Sequence, residues 1–382
     1  MNTPKPTPKH ILLLFSETGG GHRSAAEAII EALETEYGKK ITTEMVDIFK
    51  DYAPLPFNRM PELYPYMVKV PRLWGLGFKA TNTRTAARAI NITFRPFVAR
   101  TAHSIVRNHP SDVIVSVHPV GTTQILRVLG PRRPPFITVV TDMVSTHSFW
   151  FDKRSDLILV PTDMAREKAL KNHMSPEKVK VVGQPVALRH CAPGGDKEAL
   201  REKLGWPQGK TTLLMVGGGE GMGPLARTAY AIEASGLDVS LAIVAGRNNK
   251  LKAQLESHPW SIPAFIYGFT HELPDFMRAA DVLVSKAGPG TIAEALNAGL
   301  PIILYSKLPG QEDGNVTYVT GVGAGVWAPT AEEVVATLGK WTSQPEEYQR
   351  AVDACRQSAR PDASLNIARE IGAVLKLTWR DK

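Results

Sequence analysis

Short apolar runs alternate with amphipathic, helix-like stretches along most of the chain. One series of runs occupies the first half, at residues 11–15, 113–117, 137–140, 157–160 and 179–182. A second series follows at residues 212–216, 241–244, 264–267, 282–284 and 302–305. Apolar runs separated by helical patterns are typical of buried parallel strands in βαβ units. The pattern predicts an α/β fold class with two Rossmann-like parallel-sheet domains, which we expect to face each other across a cleft.

A Pro- and Gly-containing stretch at residues 184–195 separates the two series. Such stretches are common at domain boundaries, and 382 residues exceed the usual size of one hydrophobic core. We therefore predict an N-terminal domain at residues 1–190 and a C-terminal domain at residues 191–355. Residues 356–382 are predicted to form a C-terminal helix that crosses back to the first domain.

Composition indicates a globular chain, with 43% hydrophobic and 21% charged residues. Cys191 and Cys355 lie far apart in the sequence, which indicates neither a disulfide framework nor a zinc site and fits a reducing cytoplasm. The apolar run at 11–15 is too short for a signal peptide. Since no segment is apolar enough over about 20 residues to span a bilayer, we expect no transmembrane helix.

Positive charge is concentrated in one segment of the chain. The formal net charge is +8, and residues 51–107 contain nine Lys or Arg against two acidic residues, so 9 − 2 = +7 of it is local. The nine are Arg59, Lys69, Arg72, Lys79, Arg84, Arg88, Arg95, Arg100 and Arg107. Such an excess is compatible with nucleic acid, an anionic lipid surface or a polyphosphate ligand.

The first glycine-rich motif, at residues 16–24, follows an apolar strand and precedes a helical stretch. Its glycines permit close backbone approach, and the helix N-terminus offers N–H groups to an oxygen-rich ligand. His22 lies at that helix start, where the positive end of the helix dipole disfavours its protonated form. His22 is therefore a candidate general base for an acceptor hydroxyl; the alternative is a capping or hydrogen-bonding histidine.

A second glycine-rich motif, at residues 216–224, also follows a strand directly. It is compatible with a phosphate or nucleotide turn, and equally with a tight strand-to-helix connection. A dinucleotide fingerprint would need an acid at the end of the next strand, whereas Asp238 lies before that strand. NAD binding stays a minor alternative.

A third constellation, at residues 285–295 and 309–315, combines a glycine-rich turn with several polar side chains. A turn of this kind that opens a helix can hold a diphosphate. Glu294 can accept hydrogen bonds from a ribose diol, and Gln311, Glu312 and Asn315 offer donors and acceptors to sugar hydroxyls. Two polar loops beside buried strands would explain the glycines but not this clustering of amide and carboxylate groups.

Together the three motifs resemble the family-28 inverting glycosyltransferases of the GT-B fold. This group contains monogalactosyldiacylglycerol synthases, processive diacylglycerol glucosyltransferases and the peptidoglycan-precursor N-acetylglucosaminyltransferase. The resemblance covers essentially the whole chain. The sequences SETGGGHRSA (16–25), GGGEGMGP (217–224) and GQEDGN (310–315) are most similar to those of the galactolipid synthases.

The resemblance implies roles for individual positions. His22 matches the catalytic base, Glu294 the ribose-binding acid, and Phe269 a residue beside the uracil. The implied donor-binding set is Gly20, Gly21, Gly218, Gly219, Phe269, Lys286, Gly288, Pro289, Gly290, Thr291, Glu294, Gly310, Gln311, Glu312 and Asn315. Asp142, His147, Trp150, Tyr66 and Trp74 are the implied acceptor or lipid contacts. For Trp150 a buried aromatic is an equal alternative.

The implied reaction moves galactose from UDP-galactose to the sn-3 hydroxyl of 1,2-diacylglycerol, with inversion, to give β-monogalactosyldiacylglycerol. A diacylglycerol β-glucosyltransferase using UDP-glucose is the alternative, and a UDP-sugar epimerase of the same fold is a more distant one. The donor loops argue against a nucleic-acid-binding protein. No Asp-x-Asp motif accompanies these loops, so we predict that neither a metal nor another cofactor is required.

The basic segment fits a lipid acceptor. Residues 55–100 interleave aromatic and aliphatic residues with Lys and Arg. Aromatic residues suit the headgroup boundary, and Lys and Arg suit an anionic surface. We therefore expect a peripheral, monotopic enzyme at the cytoplasmic face of a membrane, with UDP-hexose, diacylglycerol and anionic lipids as partners and no nucleic acid. The alternative is a solvated face with ordinary helix packing.

Overall fold

A computed structural model describes residues 7–18, 20–68, 70–191 and 195–378. The chain divides into two compact units. The first contains Met1–Leu188, Pro309–Gln311 and Asp362–Lys382, and the second contains Arg189–Leu308 and Glu312–Pro361. Each unit contains one six-stranded sheet in which all the strand pairs are parallel. The predicted α/β class with two parallel sheets is confirmed.

The sheet of the first unit has the strand order β2-β1-β3-β4-β5-β6. Its strands are β1 (Lys9–Phe15), β2 (Ile41–Asp47), β3 (Val113–Ser116), β4 (Phe136–Val139), β5 (Leu157–Val160) and β6 (Val179–Val181). The helices before the second unit are α1 (Gly21–Tyr37), α2 (Met60–Met67), α3 (Pro71–Thr81), α4 (Arg84–Asn108), α5 (Pro119–Leu129) and α6 (Asp163–Lys171). One-turn 3-10 helices lie at Gly38–Lys40, Phe57–Arg59, Ser148–Trp150 and Pro176–Lys178.

The sheet of the second unit has the strand order β12-β11-β10-β7-β8-β9. Its strands are β7 (Thr211–Val216), β8 (Val239–Val244), β9 (Ala264–Tyr267), β10 (Val282–Lys286), β11 (Ile302–Ser306) and β12 (Gly325–Trp327). A 3-10 turn at Leu188–His190 leads into α7 (Lys197–Leu204), and the next helices are α8 (Leu225–Ala234), α9 (Asn249–Glu256) and α10 (Leu273–Ala279). They are followed by α11 (Pro289–Ala298), α12 (Asp313–Gly321), α13 (Ala331–Ser343), α14 (Pro345–Ser358) and α15 (Ala363–Val374).

Strand β1 is buried on both faces, which explains its uninterrupted apolar sequence. Ile11 and Leu13 belong to a core cluster that includes residues of α1 and α15. Leu12 and Leu14 belong to a second cluster, which includes residues of α4 and α5. Because side chains alternate across a strand, a single run of leucines and isoleucines supplies both layers.

The last helix, α15, packs on α1 within the first unit. The phenol of Tyr37 lies where a side chain at Gly372 would be, and Arg369 pairs with Glu36 at 3.0 Å. The predicted boundary at 355/356 falls inside α14, and the division between the units lies instead at Pro361 and Asp362. Pro361 disfavours helical conformation in the residue before it, which helps to separate α14 from α15.

Candidate active site

Glycine-rich turns follow the carboxyl ends of β1, β7 and β10. In parallel sheets this edge is where ligands bind, because the following helix N-termini present free N–H groups there. In the first unit, Gly20 has a φ of 74° and precedes α1, so a residue without Cβ suits the position. Gly19 lies outside the described residues.

His22, near the start of α1, is half-buried and held by two oxygens. Its Nδ1 is 2.9 Å from the backbone oxygen of Val117 and 2.9 Å from Oγ1 of Thr141. A carbonyl oxygen can only accept, so Nδ1 carries the hydrogen of the neutral ring. The lone pair of neutral His22 is consequently on Nε2, the nitrogen that can take a proton from a bound hydroxyl.

Burial lowers the pKa of His22 to about 4, although the hydrogen bond to Val117 opposes this shift. Desolvation disfavours the charged form of an imidazole. The position at the N-terminus of α1 acts in the same direction. His22 is therefore neutral at physiological pH and has the protonation state that a general base requires.

A buried histidine, His118, lies beside His22 and was not predicted from the sequence. The ring centroid of His118 is 4.5 Å from that of His22. His118 caps α5, accepting from the N–H of Val120 at Nδ1, and its Nε2 donates to Oγ1 of Thr18 at 3.0 Å. Burial, and then repulsion between the protonated forms of His118 and His22, hold the pKa of His118 well below its ordinary value. The sequence signal was a histidine directly after β3 and before Pro119 at the start of a helix.

Three predicted acceptor contacts, Asp142, His147 and Trp150, are buried in the first unit. Trp150 has no exposed surface, and its indole N–H donates to Oδ2 of Asp142 at 2.7 Å. His147 accepts from the N–H of Phe149 at Nδ1, and its Nε2 donates to Thr81 at 3.1 Å. Contact with the acceptor or lipid was predicted for both, with burial as the equal alternative for Trp150. In the structure both are buried, Trp150 beside Asp142 and His147 beside Thr81 of α3.

The other two predicted lipid contacts are more accessible. Tyr66 is exposed on α2, and Trp74 is half-buried on α3 with its ring 5.5 Å from that of Tyr64. Of the eleven exposed large hydrophobic side chains among the described residues, eight lie between positions 55 and 92. The eight are Leu55, Leu63, Tyr66, Met67, Val70, Leu73, Leu76 and Ile92. None of the described helices is both long and apolar enough to span a membrane.

In the second unit, Lys286 extends from the end of β10 over the glycine turn that follows β7. A Cβ on Gly218, which has a φ of 72°, would lie 2.8 Å from Cε of Lys286. Nζ of Lys286 pairs with Oε1 of Glu312 at 2.7 Å. The other oxygen of Glu312 accepts from the backbone N–H of Leu308 at 2.8 Å. The structure thus brings the predicted residues Gly218, Lys286 and Glu312 together, and Gly219 lies in the same turn.

The turn at Gly288 presents the N-terminus of α11. Gly288 is the N-cap and Pro289 the first helical residue, and no side chain caps this end. The N–H groups at Gly290 and Thr291 lie in the first turn, where a helix leaves donors without intrahelical partners. Asn315 is buried and donates from Nδ2 to the backbone oxygen of Ala287 at 2.9 Å. Its position therefore supports the turn.

Glu294, one turn into α11, lines a pocket of the second unit. The pocket is bounded by His190, Pro274, Met277, Arg278, Glu294, Asn297 and Ala298. Burial raises the pKa of Glu294 to about 7 and lowers the pKa of His190 to about 4. Nε2 of His190 is 3.7 Å from Oε1 of Glu294. Because the histidine is neutral above that pKa, this contact is not an ion pair at neutral pH.

The remaining predicted donor residues lie at other places on the chain. Phe269 follows β9 in the second unit, and 53% of its surface is exposed. Gly310 and Gln311 belong to the first unit, where a side chain at Gly310 would overlap the ring of Phe78. No group of three or more His, Cys, Asp or Glu residues in the described part of the chain is arranged to hold a metal ion.

Known proteins resemble both halves of the chain. Residues 22–186 match the family model for monogalactosyldiacylglycerol (MGDG) synthase, and residues 212–365 match the glycosyltransferase family 28 C-terminal domain. The chloroplastic MGDG synthase of Spinacia oleracea is 35% identical over 98% of this chain and 74% of its own length. The chain belongs to the MGDG synthase family. A second relative, chloroplastic MGDG synthase 2 of Arabidopsis thaliana, is 35% identical over 95% of this chain and 80% of its own length.

The predicted family-28 resemblance is therefore confirmed, and the chain is a glycosyltransferase of the MGDG synthase type. Solved structures share its fold at low sequence identity. S. aureus MnaA in a co-structure with UDP has a TM-score of 0.64 at 15% identity, over 97% of this chain and 98% of that one. MurG of Acinetobacter baumannii has a TM-score of 0.60 at 15% identity, over 96% and 100%. These likenesses confirm the GT-B fold class.

Proposed function

We propose that this MGDG synthase family member transfers galactose from UDP-galactose to the sn-3 hydroxyl of 1,2-diacylglycerol, giving β-monogalactosyldiacylglycerol. The observation that carries the proposal is the arrangement of His22, whose Nδ1 is bound by the Val117 carbonyl so that Nε2 is the basic atom. The names of the relatives support galactose and a diacylglycerol acceptor. The sequence Gly-Gln-Glu-Asp-Gly-Asn at 310–315 supports galactose over glucose by its resemblance to the galactolipid synthases.

In the proposed reaction, Nε2 of His22 takes the proton of the acceptor hydroxyl. The hydroxyl oxygen forms a bond to the anomeric carbon while the bond from that carbon to the diphosphate breaks and its electron pair leaves with UDP. One in-line displacement inverts the configuration, so an α-linked donor gives a β-glycoside. A positioned general base contributes roughly 10²–10⁴-fold to such a step.

The donor side of the proposal rests on residues of the second unit, except Gln311, which belongs to the first. The N-terminus of α11 and the ammonium group of Lys286 would stabilise the diphosphate as negative charge develops on the leaving group. Glu294 would accept from the ribose hydroxyls, and Gln311 and Glu312 would contact the hexose. We propose that these groups suffice without a metal ion or another cofactor.

Membrane attachment is the third part of the proposal. The exposed side chains between Leu55 and Ile92 would insert into the headgroup boundary of one leaflet. Nearby basic residues would add attraction to anionic lipid, at about 1 kcal/mol for each Lys or Arg at the surface. The enzyme would be peripheral and monotopic, at the cytoplasmic face of its membrane.

The test is product formation on vesicles that contain diacylglycerol and anionic lipid, with UDP-galactose and UDP-glucose in separate reactions, each with and without EDTA. The expected product is a β-galactosyl lipid that forms equally well in EDTA. A product from UDP-glucose alone would favour the glucosyltransferase alternative. Absence of any glycolipid, together with conversion of the free UDP-sugar, would favour the epimerase instead.

A further inference from the structure

Three loops lie side by side at the carboxyl edge of the second sheet, because β7, β8 and β9 are neighbours. The loops after β7 and β8 touch through their backbones. A side chain at Gly221 would overlap the backbone oxygen of Ala245, and one at Gly246 would overlap that of Gly219. Both glycines have a positive φ, so the contact requires glycine on both sides.

Arg247 is the residue that follows this glycine contact, and no motif of the sequence drew attention to it. Its backbone N–H donates to the oxygen of Gly219 at 2.8 Å. Its guanidinium carbon lies 4.5 Å from the ring centroid of Phe269, which follows β9. Nη1 also donates to Oε1 of Glu220 at 3.1 Å. The Arg247 side chain is therefore held by Glu220 on one side and by the ring of Phe269 on the other.

The fixed guanidinium still offers hydrogen-bond donors to a ligand. The Arg247 side chain is 53% exposed, and within the described ranges its bond to Glu220 is the only hydrogen bond of the guanidinium. An exposed ion pair of this kind contributes little to folding stability, typically about 0–1 kcal/mol. Arginine is donor-only and planar, and it can stack on an aromatic ring while its edge donates to an oxygen acceptor.

The position of Arg247 along the sheet matches the length of a nucleotide donor. If the diphosphate lies at the N-terminus of α11, after β10, then β7 and β8 follow in order across the sheet. At about 4.8 Å per strand, the loop after β8 lies roughly 9.6 Å from the diphosphate. This separation is in the range of a base joined through its ribose. An extended arginine side chain also spans it toward a phosphate, so the test compares two nucleotides that share the diphosphate and differ in the base.

We infer that Arg247 reads the nucleobase of the donor: the ring of Phe269 holds the guanidinium by stacking, and the edge of the guanidinium donates to a carbonyl oxygen of uracil. The inference rests on the proposed function, which supplies the uridine diphosphate donor. Uracil presents a carbonyl acceptor at the position where cytosine presents an amino donor. A donor-only side chain favours the first base and leaves the amino group of the second unpaired. Arg247 is therefore a specificity-determining residue.

The test compares the Kd of UDP and of CDP, measured by calorimetry, for the wild-type chain and for Arg247→Gln. An amide can both donate and accept, so the variant should serve either base. We expect the wild type to prefer UDP by about tenfold or more, and the variant to narrow the preference below about threefold, mainly through weaker UDP binding. Phe269→Ala removes the ring that holds the guanidinium, so it should also narrow the preference for UDP.

The control is Arg227→Gln, the same change at an exposed arginine of α8, where both constants should stay unchanged. Equal weakening of UDP and CDP by Arg247→Gln would indicate a charge contact with the diphosphate and overturn the inference. Unchanged binding would overturn it too, as would a wild type that binds both nucleotides equally well. A wild type that binds neither nucleotide would overturn the proposed function as well.

Discussion

Removing two apolar side chains from α3 should detach the enzyme from vesicles. Leu73 and Leu76 are 67% and 68% exposed and lie three residues apart, on neighbouring positions of the helix surface. Full burial of a leucine side chain is favourable by about 1.5–3 kcal/mol. With about two thirds of each side chain available for insertion, each contributes about 1–2 kcal/mol, and the pair contributes about 2–4 kcal/mol.

The assay is sedimentation with anionic vesicles, in which the double variant Leu73→Ser and Leu76→Ser is compared with the wild type. A loss of about 2–4 kcal/mol corresponds to a fall of about 30- to 1,000-fold in the vesicle association constant. Both positions are exposed, so the melting temperature should change little. The matched control is Met164→Ser with Val322→Ser, two exposed apolar residues outside the 55–100 segment.

Membrane insertion of α3 is refuted if the α3 variant sediments with vesicles as the wild type does. Insertion is also refuted if the control variant loses vesicle binding to the same extent. The exposed side chains of residues 55–92 would then contribute no more to membrane binding than other exposed apolar residues. A loss of binding that appears only together with a lower melting temperature would point to unfolding, which circular dichroism detects independently.

Three other predictions concern buried groups. Burial lowers the pKa of His22 to about 4, so kcat/KM should fall as the pH drops through about 4 and Nε2 becomes protonated. A kcat/KM of folded protein that already falls near the ordinary histidine pKa of about 6.5 would contradict this. Lys286→Met leaves the buried carboxylate of Glu312 without its cation and should lower the free energy of unfolding by about 3 kcal/mol. Adding Glu312→Gln should restore most of that loss in urea titrations, and no recovery would argue against the pair. Trp150→Phe removes the donor to Asp142 and should cost about 1.5–3 kcal/mol in the same titration, whereas a loss below about 0.5 kcal/mol would show that the bond is dispensable.

The apolar runs of the sequence predicted most of the strands, including the edge strands β6 and β9. They did not reveal the other two edge strands, β2 and β12. Among the described residues, strand β2 pairs only with β1, and several of its residues are partly exposed. Its sequence Ile-Thr-Thr-Glu-Met-Val-Asp therefore shows no apolar run. Strand β12 has three residues and begins at Gly325. Short or half-exposed edge strands carry a weak hydrophobic signal.

The candidate site could be predicted in part, since glycine turns after strands indicate where a ligand approaches. Motifs could not reveal that His118 lies beside His22, because that contact depends on β1 and β3 being neighbours in the sheet. Nor could they distinguish a ligand contact from a supporting side chain. The indole N–H of Trp150 donates to Asp142, whereas Asn315 uses Nδ2 for the Ala287 oxygen and its Oδ1 has no partner among the described residues.

The central claim is that His22 is the base of a galactosyl transfer to diacylglycerol. The most direct measurement is kcat with UDP-galactose and diacylglycerol vesicles for His22→Ala, beside His103→Ala, which changes an exposed histidine of α4. We predict that kcat falls by about 10²–10⁴-fold in His22→Ala alone, while the Kd for UDP stays unchanged. A His22→Ala enzyme that retains more than about a tenth of the wild-type kcat would contradict the account.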